Sequence, residues 1–264
     1  MNKLAGRVAY VTGAAMGNGE GIARVLAKHG AHVLLADISD QVFKTAKSME
    51  AEGNKTTAYQ VDVAKYEEVK KSVDDAIKRF GKIDILINNA GVSKLARFLE
   101  VSDELRDWHF KVNINGTWNC SKAILPNMIK QKYGKIVIIS SVTGLIVVDE
   151  GSIAYATTKA ALLGFTKALA IEVARDNITV NAICPGCILT PLMKGTANQI
   201  NPDNPQKVLD DVASGIPMGR LGTIEEIGDL AAFLSSDESR YITGTQIIID
   251  GGSTLPEEAV SKKI

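Results

Sequence analysis

This 264-residue sequence has no net charge, no long apolar run and no cluster of basic residues. Its 30 basic and 30 acidic side chains cancel. Because nucleic-acid phosphates require clustered Lys and Arg, we expect no nucleic-acid partner. The most apolar stretches, residues 136–140 and 247–249, are strand-length and far shorter than the ~20 residues of a membrane-spanning helix, so we expect no membrane partner.

Cysteine is also scarce, and its three positions form no disulfide framework: Cys120, Cys184 and Cys187 are too few and odd in number. Residues 1–7 are too short and polar for a signal peptide, so the cytoplasm is the expected location. Cys184 and Cys187 do match C-x-x-C, a redox or half-zinc pattern. Without a second pair or a nearby histidine, we interpret them as ordinary buried or semi-buried thiols and expect no metal. A redox protein using both remains an alternative.

Short β-branched runs alternate with longer amphipathic segments along the chain, a pattern that predicts a mostly parallel sheet covered by helices on both faces. The predicted strands cover residues 8–11, 32–36, 56–61, 83–88, 135–140, 178–183 and 246–250. The predicted helices cover residues 20–28, 40–52, 65–80, 103–131, 154–175 and 223–236. With no Pro/Gly-rich linker between them, these elements predict one α/β, doubly wound, Rossmann-type domain over residues 1–264.

Residues 190–221 interrupt this alternation. The stretch is rich in Asn, Asp and Pro, and we expect a loop-rich insertion there with one short helix at about 206–213. Long loops at strand ends usually bind ligands or close over them, although a passive surface insertion is the alternative.

A glycine-rich turn follows the first strand: Gly13, Gly17 and Gly19 lead into the first helix. Such glycines allow a tight turn and let a pyrophosphate approach the N–H groups at the helix N-terminus, although a purely structural turn would look similar. Asp37 ends the second strand, 24 residues after Gly13. Its carboxylate can accept hydrogen bonds from a ribose and would repel a 2′-phosphate by about 4 kcal/mol at ~4 Å.

Neither Met16, Ile38 nor Ser39 supplies a basic group to offset that repulsion. We therefore predict NAD(H) rather than NADP(H) as the cofactor. Asp37 could instead merely cap the next helix, but Ser39 or Asp40 would fill that role better.

Taken together, the motifs resemble the short-chain dehydrogenase/reductase family over about residues 4–254. The residues that carry the resemblance, in the family's order, are Gly13, Gly17 and Gly19, the run 88–91, Tyr155 with Lys159, and Pro185, Gly186 and Thr190. The C-terminal runs 243–246 and 250–257 resemble one bacterial subgroup of this family. Two departures are Met16, where members often carry Ser or Arg, and Asn18, where Ile or Leu is usual.

The resemblance implies further cofactor contacts. Asp62 and Val63 would lie beside the adenine, and Asn89, Ala90 and Gly91 along the adenosine ribose and the central strand. Ile188 and Thr190 would hold the nicotinamide carboxamide.

Tyr155 and Lys159 lie four residues apart in a helical pattern and so share one face. A Lys159 ammonium near Tyr155 should favour the phenolate and lower a pKa that starts near ~10. Tyr155 would then act as general base in oxidation and general acid in reduction, while Lys159 would also bind the nicotinamide ribose. In an arbitrary helix, a Tyr four residues before a Lys would indicate only an exposed pair. In this sequence the other motifs support the catalytic assignment.

The resemblance also assigns Ser141 to orient the substrate carbonyl or alcohol. The gap between Ser141 and Tyr155 is one residue longer than usual, which we interpret as an insertion within 145–152; Ser140 is the competing choice. Asn113 matches the fourth catalytic position, where it would hold a proton-relaying water beside a local helix distortion. Asn115 lies nearby, and either Asn could simply be an exposed polar residue.

These features predict reversible hydride transfer between nicotinamide and a carbonyl or secondary alcohol: an aldehyde, a ketone, a sugar or a cyclic ketone. A non-catalytic NAD(H) sensor on the same fold is the alternative. The expected pocket walls are residues 92–96, 142–149, Cys187 and 191–218. The resemblance further implies a homotetramer that pairs the helices at about 103–131 and 154–175.

Overall fold

Seven parallel strands form one sheet in the computed structural model, which describes residues 2–256. The strands are β1 (Val8–Thr12), β2 (His32–Asp37), β3 (Thr56–Gln60), β4 (Ile85–Asn88), β5 (Gly134–Ile139), β6 (Ile178–Pro185) and β7 (Gln246–Ile249). Their order across the sheet is β3-β2-β1-β4-β5-β6-β7. The chain therefore adds β2 and β3 on one side of β1 and β4 to β7 on the other side, as expected for a doubly wound sheet.

Helices connect these strands on both faces. They are α1 (Gly17–Lys28), α2 (Gln41–Ala51), α3 (Tyr66–Phe80), α4 (Asp103–His109), α5 (Gly116–Gln131), α6 (Ile153–Val173), α7 (Pro191–Ile200), α8 (Pro205–Ser214) and α9 (Ile224–Leu234). A π-helical turn, Phe110–Asn115, joins α4 to α5.

Alternation along the strands divides the core between the two faces. On β1, Ala9 and Val11 pack with α1, α2 and α9, while Val8 and Tyr10 pack with α3, α5 and α6. Both sets are buried, which explains why the strands are apolar at consecutive positions rather than at every second one.

The fold class is thus confirmed, and each predicted strand boundary lies within two residues of the observed one. Two helical predictions need correction. The segment predicted as one helix over 103–131 is divided by the π-helical turn, and the insertion at 190–221 contains two helices, α7 and α8, instead of one. Assignment of the whole chain to a single domain stays a prediction. Of the C-terminal run 250–257, position 257 lies outside the described residues.

None of the helices within residues 2–256 combines the length and the apolar character needed to span a bilayer.

Candidate active site

A cavity of about 690 Å³ opens at the carboxyl ends of the central strands. This is where the crevice of a doubly wound sheet binds ligands, because the strand order reverses there. Nearly all sequence-predicted site residues line it: Gly13, Met16, Gly17, Asn18, Asp37, Asp62, Val63, Asn89, Ala90, Gly91, Ser141, Tyr155, Lys159, Pro185, Gly186, Ile188 and Thr190. The exceptions are Gly19 and Asn113, which do not line the cavity but contact residues that do.

The glycine-rich turn is shaped for close approach of a ligand. Gly13 and Gly17 have φ values of 65° and 60°, a conformation that side-chain-bearing residues rarely adopt. A Cβ at Gly13 would lie 2.9 Å from the Cα atom of Ala90, and one at Gly19 would lie 2.0 Å from the Gly13 carbonyl oxygen. Gly19 therefore lets α1 pack against the turn, and the N-terminus of α1 faces the cavity at Gly17.

Asn89 fixes this turn from the neighbouring strand end. Its Nδ2 donates to the carbonyl oxygens of Thr12 and Gly13 at 3.0 and 3.2 Å. The Thr12 hydroxyl in turn accepts the backbone N–H groups of Asn89 and Ala90, each at 3.0 Å. The observed role of the Asn89 side chain is therefore to hold the glycine-rich turn in place.

Asp37 ends β2 and places a carboxylate in the cavity wall. One oxygen accepts the Ala15 N–H at 3.0 Å and the other accepts the Ser39 N–H at 2.9 Å. A carboxylate has about four acceptor sites, so both oxygens can still accept hydroxyl donors. Among the described residues that line the cavity, Lys159 is the only Lys or Arg.

Ser141, Tyr155 and Lys159 meet where β5 ends against α6. The side chains of Ser141 and Tyr155 line the same part of the cavity, and the Ser141 hydroxyl acts to lower the pKa of Tyr155. The Lys159 Nζ lies 5.6 Å from the centroid of the Tyr155 ring and donates to the Ile139 carbonyl oxygen at 2.8 Å. Ser140 instead donates to the Lys159 carbonyl oxygen at 2.8 Å, so its hydroxyl holds β5 to α6.

Burial governs the pKa values of these groups. It raises the pKa of Tyr155, and the Ser141 hydroxyl only partly opposes this. Burial also lowers the pKa of Lys159 to about 8. The lower pKa expected for Tyr155 is therefore wrong for the protein alone, because desolvation outweighs the opposing effect of the Ser141 hydroxyl.

Asn113 lies inside the π-helical turn and is fully buried. Its Nδ2 donates to the Val92 carbonyl oxygen at 3.0 Å and to the Thr158 hydroxyl at 2.9 Å, while its Oδ1 accepts the Val92 N–H at 2.8 Å. This side chain therefore positions the segment after β4 instead of entering the cavity.

His109 holds the same segment one turn earlier. Its Nε2 accepts the Lys94 N–H at 3.1 Å, and its Nδ1 lies 2.8 Å from the Leu105 carbonyl oxygen. Since Nε2 accepts that N–H, Nδ1 is the atom that donates to the Leu105 carbonyl oxygen. Asn113 and His109 together fix residues 92–94 against the helical layer.

Comparison with known proteins identifies the family. A family model described as Enoyl-(Acyl carrier protein) reductase matches residues 13–254. The chain is 54% identical over 257 residues to Oxidoreductase UcpA of Salmonella typhimurium, covering 97% of this chain and 98% of the relative. The chain belongs to the short-chain dehydrogenase/reductase family. It is an oxidoreductase of this family, whose members bind a nicotinamide cofactor.

Two further comparisons agree with this family membership. Oxidoreductase UcpA of Escherichia coli K12 is 52% identical over 257 residues, with 97% of this chain and 98% of that protein covered. The structure of L-sorbose reductase from Gluconobacter frateurii, complexed with NADPH and L-sorbose, has a TM-score of 0.92 and 33% identity, covering 97% of this chain and 100% of that one.

Several cavity-lining residues of this short-chain dehydrogenase/reductase were absent from the predicted set: Val61, Trp108, Val112 and Ile139. Trp108 and Val112 are four residues apart, and an apolar side chain gives no sequence signal that separates a cavity wall from a packed core. Val92, Ser93, Cys187, Pro191 and Met193 lie within predicted wall segments and do line the cavity.

The expectation of two buried or semi-buried thiols is confirmed for Cys184 and wrong for Cys187. Cys184 is buried in β6 and Cys187 is exposed beside the cavity; both are free. Desolvation raises the pKa of Cys184 to about 11. The pKa of Cys187 is also raised although its side chain is exposed, by partial desolvation and by the negative charge of Asp149; both shifts disfavour the thiolates that redox chemistry requires. Within residues 2–256, no three His, Cys, Asp or Glu side chains are grouped so as to hold a metal ion.

Proposed function

We propose that the protein reversibly oxidises a secondary alcohol or reduces a carbonyl compound with NAD(H), with Tyr155 as the general acid and base. The observation that carries this proposal is that Ser141, Tyr155 and the buried amine of Lys159 line one cavity with the glycine-rich turn. A protein that only senses NAD(H) would not require these three side chains together.

Each side chain has a distinct role in the proposed reaction. Ser141 orients the substrate oxygen, and Tyr155 donates a proton to that oxygen in reduction or removes it in oxidation. Lys159 carries positive charge near Tyr155, and Asn113 positions the backbone at Val92. When bound, the nicotinamide supplies or accepts the hydride and, in its oxidised form, adds a positive charge that favours the Tyr155 phenolate.

The shape of the cavity fits a dinucleotide. The positive φ values at Gly13 and Gly17 and the α1 N-terminus suit a pyrophosphate, and Asp37 keeps free acceptor sites for ribose hydroxyls. The residues proposed to hold the cofactor are Gly13, Met16, Gly17, Asn18, Gly19, Asp37, Asp62, Val63, Asn89, Ala90, Gly91, Tyr155, Lys159, Pro185, Gly186, Ile188 and Thr190, with Gly19 and Asn89 acting by shaping the turn.

We expect replacement of Tyr155 by Phe to lower turnover by about 10²–10⁴-fold, because the proton donor is lost while the ring still packs. NADH oxidation at 340 nm with a panel of aldehydes, ketones and sugars measures turnover, and quenching of protein fluorescence measures NADH binding. Tyr66→Phe, on α3 outside the cavity lining, is the matched control. Near-normal turnover in Tyr155→Phe would contradict the proposed role.

A preference for NAD(H) over NADP(H) is the second part of the proposal. The carboxylate of Asp37 should repel a 2′-phosphate by about 4 kcal/mol at ~4 Å. Relatives do not settle this point, because the L-sorbose reductase structure contains NADPH. We expect calorimetry to show tighter binding of NADH, and Asp37→Ser to narrow the difference. Equal affinities in the wild type would refute the preference.

We also propose a homotetramer in the cytoplasm. Ala160, Ala161, Gly164 and Ala168 form an exposed stripe of small residues on α6, which allows a second helix to approach closely. Leu163 and Leu169 of the same helix instead pack toward the core.

A further inference from the structure

Asn18 brings a polar side chain into the cavity wall at the start of α1, where members of the family usually carry Ile or Leu. Its Oδ1 atom is buried, and no donor among the described residues is hydrogen-bonded to it. A buried acceptor without a partner lowers stability, because it has lost its hydrogen bonds to water. A ligand that donates a hydrogen bond to this oxygen would remove that cost.

The geometry of α1 explains why this amide is buried within the wall. Asn18 precedes Gly21 by three residues and Ile22 by four, so the three share one face of the helix. Ile22 is fully buried, and a Cβ at Gly21 would lie 2.8 Å from the Cβ atom of Ile224, so this face packs against the core and α9. Side chains lean toward the N-terminus of their helix. At the second position of α1, Asn18 therefore leans past the start of the helix, toward the cavity.

Two contacts show on which side of the glycine-rich turn Asn18 lies. The Ala15 N–H donates to the Asp37 carboxylate at 3.0 Å, so the first half of the turn lies beside β2. A Cβ at Gly17 would lie 3.9 Å from the Cδ atom of Pro191 at the start of α7, so the second half lies beside the segment that follows β6. Asn18 directly follows Gly17 and so belongs to the second half. In the proposed function, this is the side that holds the nicotinamide.

The chemistry of the buried atom restricts its partner to a hydrogen-bond donor, because an amide oxygen only accepts. The pyrophosphate of a dinucleotide offers acceptor oxygens alone. The nicotinamide half carries donors, namely the two ribose hydroxyls and the amino group of the carboxamide. The Oδ1 atom of Asn18 therefore suits the nicotinamide half and not the pyrophosphate.

We propose that the Asn18 side chain is a specificity-determining contact for the nicotinamide half of the cofactor, in which its Oδ1 atom accepts a hydrogen bond from the ribose or the carboxamide. The contact couples cofactor binding to stability, since it removes the cost of the unpartnered oxygen. A nucleotide without the nicotinamide half gains nothing from it. This inference rests on the proposed function, because it concerns the cofactor of the same site.

Asn18→Leu tests the contact, because Leu has the same branched shape as Asn and no polar side-chain atom. Isothermal titration calorimetry measures the Kd values of NADH and of ADP, which lacks the nicotinamide half. We expect the variant to bind NADH about three- to tenfold more weakly, the net effect of one hydrogen bond, and to bind ADP as the wild type does. Equal or tighter binding of NADH by the variant, or an equal loss for ADP, would overturn the proposal.

Urea unfolding gives a second measurement that requires no turnover. Removal of an unpartnered oxygen should raise the urea midpoint of the protein without cofactor, whereas removal of an oxygen that is hydrogen-bonded within the fold would lower it. At NADH concentrations far above both Kd values, the ratio of the two folding constants should shift toward the wild type by the same three- to tenfold. A lower midpoint in the variant without cofactor, or an advantage that NADH leaves unaltered, would overturn the proposal.

Thr179→Val is the matched control. The Oγ1 atom of Thr179 is also buried and unpartnered within the described part of the chain, but it belongs to β6 and does not line the cavity. Val keeps the shape of Thr, so the Kd of NADH should stay unaltered and any change in midpoint should be the same with and without NADH. A loss of NADH affinity equal to that of Asn18→Leu would overturn the proposal. If the wild type does not bind NADH, the proposed function fails together with this inference; if it binds NADH and Asn18→Leu binds equally well, only this inference fails.

Discussion

The buried amine of Lys159 in the candidate site lowers the free energy of unfolding of the protein. The amine is buried and donates to the Ile139 carbonyl oxygen. Burial lowers its pKa to about 8 from an ordinary value of 10.5. Because the unfolded chain binds this proton more tightly, Lys159 destabilises the fold fully below pH 8, and the penalty declines as the pH rises from 8 toward 10.5.

Replacing Lys159 with Met should therefore stabilise the protein at pH 7 while abolishing the proposed activity. Removal of the buried amine contributes about 3 kcal/mol, offset by about 1 kcal/mol for the Ile139 carbonyl left without its donor. Urea unfolding should show the advantage of the variant shrinking by about 2.5 kcal/mol between pH 7 and pH 10. An advantage that does not change with pH would show that the amine is not the cause.

The choice between Ser140 and Ser141 marks the limit of sequence reasoning at this scale. Both follow β5, and the unusual spacing to Tyr155 left either one possible. In the structure, the Ser140 hydroxyl donates to the Lys159 carbonyl oxygen, whereas the Ser141 hydroxyl acts on the pKa of Tyr155. Successive side chains leave a strand on opposite sides, so only the placement of α6 decides which hydroxyl reaches the site.

At the scale of elements, the π-helical turn depends on contacts that no local pattern contains. The segment 103–131 reads as one helix because its apolar periodicity continues through the turn. Asn113 and His109 instead bond to the backbone of residues 92–94, far away in sequence. Only family resemblance indicated a distortion there. By contrast, the sequence does indicate where α7 begins, because Thr190 is a typical N-cap residue and Pro191 follows it at the first helical position.

The segment after β5 packs closely against α6 at Gly144. We therefore expect a side chain at this position to lower both stability and turnover. A Cβ there would lie 2.5 Å from the Lys159 carbonyl carbon and 2.6 Å from the Ala160 nitrogen. Gly144→Ala should cost about 2–3 kcal/mol and reduce turnover, because it displaces Ser141 from Tyr155.

Gly195→Ala is the matched control, since nothing lies within 4 Å of its added Cβ on α7. That change should stabilise the protein by about 0.5–1 kcal/mol, since Ala favours helix more than Gly. Urea denaturation measures both. A Gly144→Ala protein as stable and active as the wild type would refute the tight contact.

The molecule as a whole carries no net charge, so it does not attract anions to the site over a long range. A chain with 30 basic and 30 acidic residues must hold a dinucleotide through local groups. The α1 N-terminus and the glycine-rich turn provide them. We therefore expect cofactor affinity to depend more on the geometry of the turn than on net charge.

The exposed small-residue stripe on α6 makes the proposed tetramer testable. Ala168→Arg should place a long charged side chain where a second helix would pack, and so shift the mass measured by light scattering toward dimers or monomers. Ala51→Arg, at the exposed end of α2, introduces the same side chain elsewhere and should leave the mass unchanged. If the wild type is a monomer at micromolar concentration, or if both variants assemble like the wild type, α6 does not form the proposed interface.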